Sequence, residues 1–217
     1  MPIIALVNQK GGTGKTTAAV HLASWLSREG SVLLVDADAQ QSSSIWVKSL
    51  ISPMPNVVEN DPEKLFEILP EFSSRYDFVV IDGPGSLSEI TKAILTRCDL
   101  ALVPCQPSGL DLHSSNKILR FINHAQEIRG GKPNAALFLS RATPRTTLLR
   151  ESIEVLKSQN IPLLDGIIYQ RQCIADAPTQ NSTVFQLVSP AARVACTDYQ
   201  ILFNEVLELL CLPVAMR

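Results

Sequence analysis

The sequence KGGTGKTT at residues 10–17 constrains the fold of this chain more than any other segment does. An apolar run at residues 3–7 precedes it, and a segment with helical character follows at residues 18–28. Strand, glycine-rich loop and helix in this order are typical of a phosphate-binding loop, in which backbone N–H groups and a helix N-terminus surround phosphate oxygens. The segment therefore predicts a nucleotide-binding α/β domain.

The residues of this loop have distinct predicted roles. Lys15 can reach the β- and γ-phosphates of a nucleotide, and the Thr16 hydroxyl can ligate Mg²⁺. The glycines allow the backbone to curl closely around phosphate oxygens. The other residues predicted to bind the nucleotide are Gly11, Gly12, Thr13, Gly14 and Thr17.

Two further apolar runs end in carboxylates. Residues 31–35 lead into Asp36 and Asp38, and residues 78–81 lead into Asp82. Because the carboxyl ends of parallel strands face the ligand crevice, these side chains are expected near the loop. Asp82 is predicted to hold Mg²⁺ through water beside Thr16. A role as a helix N-cap explains Asp36 as well as a role in the ligand crevice does, whereas it explains Asp38 less well.

The rest of the chain alternates between helical and extended patterns without a repeat or a linker. This alternation predicts one domain over residues 1–217, with three layers and a mostly parallel sheet flanked by helices. The predicted helices are 87–97, 110–128, 148–158 and 190–210, and the predicted strands are 100–104, 135–139 and 166–169.

Composition narrows the setting. No apolar run approaches the roughly 18 residues of a membrane span, and the chain begins on its first strand, so we expect a cytoplasmic protein. The five cysteines have no C-x-x-C spacing, which favours buried thiols over disulfides or zinc ligands. His21, His113 and His124 lack metal-ligand spacing, so each is expected at the surface or packed in the interior.

The net charge is −2, but basic residues are concentrated in one part of the chain. Residues 117–157 contain eight basic and three acidic residues. Such a segment could follow a phosphate backbone, although solvated helix faces pointing in several directions would give the same count. The DNA-binding candidates are Lys117, Arg120, Arg145, Arg150 and Lys157, together with Arg129, Lys132 and Arg141.

The loop departs from the common G-x-x-x-x-G-K-[ST] pattern because Gln9 stands at its first glycine and Lys10 follows. K-G-G-x-G-K-T resembles the deviant Walker A box of the ParA/MinD family of ATPases. That resemblance implies that Lys10 reaches across a dimer to the phosphates of the other subunit. The segment DADAQ at residues 36–40 resembles the family's D-x-D-P-Q box, with Ala39 in place of the proline. The implied catalytic residues are Lys10, Lys15 and Asp38, the last of which orients or activates the attacking water.

The resemblance covers essentially the whole chain and is strongest to small ParA proteins without an N-terminal DNA-binding extension. It implies ATP and Mg²⁺ as cofactors, a homodimer that sandwiches two ATP molecules, and slow hydrolysis stimulated by a ParB-like or cargo-adaptor protein. It further implies non-specific DNA binding and positioning of a cargo, such as a plasmid or a carboxysome, over the nucleoid.

Two alternatives remain open from the residues. A MinD-like membrane ATPase would need a basic amphipathic tail, but the charges of residues 205–217 are mostly acidic and Pro213 stops the helix. We therefore expect no membrane partner. A metabolic phosphate-loop ligase or kinase would need a second polar cluster for its small-molecule substrate, and none is evident.

Overall fold

The computed structural model describes residues 1–210, apart from the side chains of residues 109–115. Within this range the strands are β1 (Ile3–Leu6), β2 (Val32–Asp36), β3 (Asn56–Val58), β4 (Phe78–Asp82), β5 (Leu100–Cys105) and β6 (Asn134–Leu139). The helices of the same range are α1 (Lys15–Leu26), α2 (Ser42–Ser49), α3 (Pro62–Arg75), α4 (Glu89–Arg97), α5 (Gly109–Ile128), α6 (Thr147–Lys157), α7 (Gln172–Asp176) and α8 (Pro190–Leu209).

The strands form one sheet in the order β3-β2-β4-β1-β5-β6, and every neighbouring pair is parallel. The central strand β1 lies between β4 and β5, so the loop that follows it opens at the middle of the sheet's carboxyl edge. Asp36 and Asp82 are register partners at the ends of β2 and β4. The predicted fold class, a parallel sheet flanked by helices, is confirmed.

Two apolar cores cover the two faces of the sheet. Side chains alternate along each strand, so Ile4 and Leu6 belong to one core while Ile3 and Ala5 belong to the other. Helices α1, α2 and α8 contribute to the first core, and α3 to α6 contribute to the second. Because β1 is covered on both faces, its position and that of the loop after it are firmly fixed.

The strand predicted at residues 166–169 is wrong. Within this range the structure shows one isolated bridge, between Ala142 and Tyr169, and a second bridge joins Leu137 to Leu163 just before it. The amide of Gly166 donates instead to the Glu205 carboxylate at 2.9 Å. A side chain at Gly166 would lie 2.5 Å from the Cα of Leu202, so the segment is held against α8 and its ladder to β6 is interrupted.

Several elements were not expected. Helices α2 and α3, strand β3 and the short α7 had no sequence prediction, and α1 begins at Lys15 rather than at residue 18. Strand β3 has three residues, and α3 contains Pro70, which disfavours a helix interior. Both features weaken the periodic pattern from which elements are predicted.

Cys98 and Cys105 are buried, as predicted, whereas Cys173 and Cys196 are only half-buried in the part of the chain that the structure describes. Its four cysteines are free thiols, and burial raises the pKa of Cys98 to about 12. His21 is fully buried and His124 is exposed, whereas Cys211 and the side chain of His113 lie outside the described residues. Among residues 1–210, no helix is long and apolar enough to cross a bilayer. Most of the tail considered above, residues 211–217, is also outside that range.

Candidate functional site

The glycine-rich loop has a backbone that only glycine adopts readily. Gly12 and Gly14 have φ angles of 78° and 92°, in the left-handed region. A side chain at Gly14 would also place its Cβ 2.6 Å from the Ser140 hydroxyl. Helix α1 begins at the next residue, so the loop delivers its backbone amides directly to a helix N-terminus.

Lys15 is a buried cation at the centre of the site. Its side chain is only 5% exposed, and its ammonium donates to the Lys10 carbonyl at 3.0 Å. Burial lowers the pKa of Lys15, while the nearby charges of Asp82 and Asp38 oppose that shift. A charge held in this way gains strongly from an anionic ligand, because the ligand replaces the solvation that burial removed.

Thr16 and Asp82 meet at the end of β4. The Thr16 hydroxyl donates to Asp82 Oδ2 at 2.8 Å, although the two residues are 66 positions apart. The other carboxylate oxygen, Oδ1, is buried and has no hydrogen-bond partner. One hydroxyl and one carboxylate fit Mg²⁺, which keeps several waters and takes its remaining ligands from phosphates. Accordingly, no group of three or more His, Cys, Asp or Glu side chains forms a metal cage within the described residues.

Asp82 gives the metal-free protein a predictable pH dependence. Burial raises the pKa of Asp82 to about 7, whereas an aspartate in an unfolded chain titrates near 3.9. Between these values the folded protein holds a proton that the unfolded chain has released. The free energy of unfolding should therefore fall as pH rises through this window.

Asp82→Asn should remove that contribution. Without nucleotide or divalent metal, the melting temperature of the variant should rise relative to wild type as pH is raised from 5 to 8. Thermal denaturation of both proteins across that range measures the difference. A difference that stays constant with pH would show that Asp82 does not titrate there.

The two aspartates of the DADAQ segment have different environments. Asp36 is fully buried, and its two oxygens accept from the amides of Asp38 and Ser44 at 3.1 and 2.7 Å. Asp36 thus has the structural role, because it satisfies an amide in the first turn of α2. Asp38 is half-buried, accepts from the amides of Gln40 and Gly85 at 2.9 and 3.3 Å, and lines the cavity at the loop.

Lys10 occupies the entrance of the loop. Its side chain is half-buried, its amide donates to Asn8 Oδ1 at 3.2 Å, and its carbonyl accepts from Lys15. The backbone of Lys10 is therefore tied to β1 and to the buried ammonium, which fixes where its side chain departs from the loop.

A cavity of about 320 Å³ extends from the loop to the segment at residues 168–178. Its loop end is lined by Gly11, Gly12, Gly14, Lys15, Thr16, Thr17, Asp38 and Gly85, and its other end by Ser140, Arg141, Ile168, Tyr169, Gln170, Arg171, Ile174, Ala175, Pro178 and Tyr199. Thr13, which also belongs to the loop, is buried. The motifs did not predict the second end. Residues 140–141 could have been found, since they directly follow β6 at the carboxyl edge of the sheet.

The basic residues separate into two groups. Three of them bind neighbouring parts of the protein: half-buried Arg129 donates to the carbonyls of Leu95 and Cys98, exposed Lys132 pairs with Asp99, and exposed Arg141 donates to the Gly12 carbonyl. The other five are exposed and lie on α5 and α6 or on the loop before α6: Lys117, Arg120, Arg145, Arg150 and Lys157. Helices α5 and α6 pack side by side on the same face of the sheet.

Comparison with known proteins places these features in context. A family model described as the CobQ/CobB/MinD/ParA nucleotide binding domain matches residues 4–184. Maintenance of carboxysome distribution protein A of Halothiobacillus neapolitanus is 32% identical over 209 residues, covering 94% of this chain and 95% of that protein. The chromosome-partitioning ATPase Soj of Thermus thermophilus is 30% identical over 221 residues, covering 84% of this chain and 87% of that protein.

Solved structures with the same fold include two nucleotide complexes. An ATP complex of a McdA variant from Cyanothece has a TM-score of 0.76 and 17% identity, covering 100% of this chain and 99% of that one. MinD from Pyrococcus horikoshii with Mg-ADP has a TM-score of 0.73 and 22% identity, covering 96% and 97%. These likenesses concern the fold.

Proposed function

The chain belongs to the CobQ/CobB/MinD/ParA nucleotide-binding family, and from this premise we propose that it is a ParA-type ATPase that dimerises around ATP, binds DNA without sequence preference and positions a cargo over the nucleoid. Relatives at 30% identity or more are named for carboxysome distribution and for chromosome partitioning. The proposed cargo is accordingly a carboxysome or a replicon such as a plasmid. The observation that carries the proposal is the convergence of Lys15, Thr16 and Asp38 at one cavity, with Asp82 hydrogen-bonded to Thr16 beside it.

The cavity suits Mg-ATP along its whole length. The phosphates would lie on the loop amides and Lys15, and the base among the apolar side chains Ile168, Ile174 and Pro178 at the other end. Thr16 and Asp82 would hold Mg²⁺, with Asp82 acting through water. When bound, the metal neutralises charge that develops on the phosphates.

Asp38 is proposed to orient the attacking water. Both of its carboxylate oxygens accept backbone amides, so the side chain has one orientation. The amide of Gly85 reaches it from the segment after β4, so the carboxylate is held between the ends of the adjacent strands β2 and β4. A carboxylate fixed in this way can align water without reorganising during the reaction.

Lys10 is proposed to act across the dimer. It begins the loop whose buried Lys15 donates to its carbonyl, and a second subunit with its own ATP would bring further negative charge to this side of the site. The Lys10 ammonium of each subunit would compensate the negative charge of the phosphates bound to the other subunit.

Lys10→Ala should therefore separate ATP binding from dimerisation. We expect the variant to bind ATP within a few-fold of wild type and to remain monomeric on a sizing column that contains Mg-ATP. Lys48→Ala, which changes an exposed lysine of α2, should dimerise normally. A tight ATP-dependent dimer of Lys10→Ala would refute the action in trans.

The proposed DNA-binding surface consists of the five exposed cations Lys117, Arg120, Arg145, Arg150 and Lys157. Arg145, Arg150 and Lys157 line one shallow groove along α6, with Glu154 as its acidic member. Arg120 lines the adjoining groove between α5 and residues 159–161. One subunit offers few phosphate contacts, whereas an ATP-bound dimer doubles them, so binding should require ATP.

Arg150→Glu should weaken DNA binding without changing ATP affinity, because this residue lies outside the nucleotide cavity. If each subunit loses one phosphate contact, the slope of log K against log salt should decrease by about 2 for the dimer. Fluorescence anisotropy with labelled duplex DNA, over a salt series with Mg-ATP, measures the slope. Arg75→Glu, at the opposite end of the sheet, is the charge-matched control.

An ATP-trapped dimer provides the decisive test of the cellular function. The Asp38→Ala protein with Mg-ATP should retain DNA of unrelated sequences in a low-salt gel shift and should not sediment with anionic liposomes. Failure to retain DNA would remove the nucleoid proposal, and sedimentation with liposomes would support the membrane alternative. An adaptor protein bound to the cargo is proposed to accelerate hydrolysis and release the DNA.

A further inference from the structure

One carbonyl of the phosphate-binding loop accepts two side-chain donors from outside the recognised nucleotide-binding motifs. The Gly12 carbonyl accepts from Gln106 Nε2 at 2.7 Å and from Arg141 Nη1 at 2.9 Å. Gln106 is the first residue after β5, and Arg141 is the second residue after β6. The two donors therefore come from two separate strands and use both lone pairs of one oxygen.

Arg141 is itself held in place. Its Nε donates to Gln170 Oε1 at 3.0 Å, and its backbone is in the left-handed region with φ of 54°. The next residue is bridged to the segment at 168–170, because Ala142 donates to the Ile168 carbonyl and accepts from the Gln170 amide. The guanidinium is thus fixed by the surrounding structure over the loop, in a backbone conformation that non-glycine residues rarely adopt.

The geometry of the peptide bond gives this contact a consequence for phosphate binding. In a trans peptide the C=O and the N–H point in opposite directions. The Gly12 carbonyl and the Thr13 amide belong to one such unit. Pinning the carbonyl toward β5 and β6 therefore turns the Thr13 N–H the other way, toward the interior of the loop. Gly12 has no Cβ and already lies in the left-handed region with φ of 78°, so little steric hindrance would oppose a different orientation of this peptide if the carbonyl were released.

We propose that Gln106 and Arg141 are positioning residues that aim the Thr13 amide at the β-phosphate of the nucleotide. Neither side chain needs to contact the phosphates for this role. They also cover a carbonyl dipole that would repel phosphate oxygens if it turned inward. The inference rests on the proposed function, since it assigns a role to these residues in binding Mg-ADP or Mg-ATP.

The number of phosphates on the ligand distinguishes this role from a direct contact with the base. AMP lacks the β-phosphate, so a misdirected Thr13 amide should weaken ADP binding and leave AMP binding unchanged. Each single variant, Gln106→Ala or Arg141→Ala, leaves one donor in place and should have a small effect. The double variant should lose more than the product of the two single losses, because the residues share one acceptor.

Isothermal titration of Mg-ADP and competition by AMP test the proposal. The double variant should bind Mg-ADP about tenfold more weakly, which is the scale of one charge-assisted hydrogen bond. AMP affinity should stay within about twofold of wild type, which is a smaller change than the loss of one hydrogen bond would cause. Arg141→Lys in the Gln106→Ala background should keep part of the ADP affinity that the double alanine variant loses, since one cationic donor is present again.

The controls separate this inference from the proposed function. Arg75→Ala removes a cation at the opposite end of the sheet and should match wild type with both ligands. If wild type failed to bind Mg-ADP, the nucleotide-binding proposal would fall with this one. If wild type binds ADP and the double variant retains that affinity, or if ADP and AMP weaken equally, only the positioning role is overturned. Should the double alanine variant unfold, Arg141→Lys in the Gln106→Ala background is compared with Gln106→Ala alone, and equal affinity of these two for Mg-ADP counts against the proposal.

Discussion

Lys15→Ala is expected to abolish ATP binding in any practical concentration range. Removing one member of a buried, hydrogen-bonded charge pair costs about 2–5 kcal/mol, which corresponds to roughly 30-fold to several-thousand-fold in Kd. The upper part of this range applies here, because the Lys15 side chain is only 5% exposed and water cannot replace it at the phosphates. Calorimetric titration with Mg-ATP measures the loss.

The control for this experiment is a cation near the amino ends of the strands, opposite the nucleotide loop. Arg75 ends α3 and forms an exposed pair with Glu71 at 3.2 Å, so Arg75→Ala should bind ATP as wild type does. Circular dichroism should show that Lys15→Ala retains its helical content. Unchanged ATP affinity in Lys15→Ala would contradict the assignment of the loop.

Asp38→Ala is expected to bind ATP and dimerise but to hydrolyse ATP about 10²- to 10⁴-fold more slowly, the usual contribution of a positioned acid–base group. The phosphates keep Lys15 and the loop amides, so binding survives, whereas the attacking water loses the carboxylate that orients it. Phosphate release under saturating ATP, with binding measured in parallel, separates the two steps.

Asp36→Ala provides the matched comparison within the same segment. Asp36 accepts two buried backbone amides, and its loss leaves both unsatisfied, which costs about 1–3 kcal/mol for each group. Asp36→Ala should therefore lower the melting temperature, while Asp38→Ala should alter turnover with a smaller effect on folding. Wild-type turnover in Asp38→Ala would move the water-orienting role to another group.

Hydrolysis and DNA binding are linked in the proposed function through the lifetime of the ATP-bound dimer. The Asp38 substitution should prolong that lifetime, and the Lys10 substitution should prevent the dimer from forming. Both changes lie at the cavity, far along the chain from the basic residues of α5 and α6. Opposite effects of the two variants on DNA retention would therefore indicate that the dimer, rather than the nucleotide alone, controls the basic surface.

Part of the site was predictable because its chemistry depends on local order along the chain. An apolar strand, a glycine-rich loop and a helix are adjacent in sequence, so the positions of Lys15 and Thr16 follow from short-range pattern. Asp82 is distant in sequence, but it directly follows an apolar strand, and parallel strands place their carboxyl ends at one edge. Its hydrogen bond with Thr16 agrees with that expectation.

Other features depended on contacts that no local pattern encodes. The extended pattern of residues 166–169 suggested a strand, but the close approach of Gly166 to α8 and the Glu205 carboxylate interrupts its pairing. The basic residues of 117–157 looked equivalent, yet Arg129, Lys132 and Arg141 are engaged by Leu95, Cys98, Asp99 and Gly12 from other parts of the chain.

The sequence by itself determined the family, the parallel sheet and the loop that binds phosphate, because each follows from residues that are neighbours along the chain or from strand ends. The tertiary structure decided which aspartate is structural, which cations are held by other parts of the chain and which side chains complete the far end of the cavity. It also brought Gln106 and Arg141 to one carbonyl of the loop. These features depend on the packing of β5, β6 and the segment at 168–171 against one another. Such contacts join residues that are distant in sequence, so no single segment predicts them.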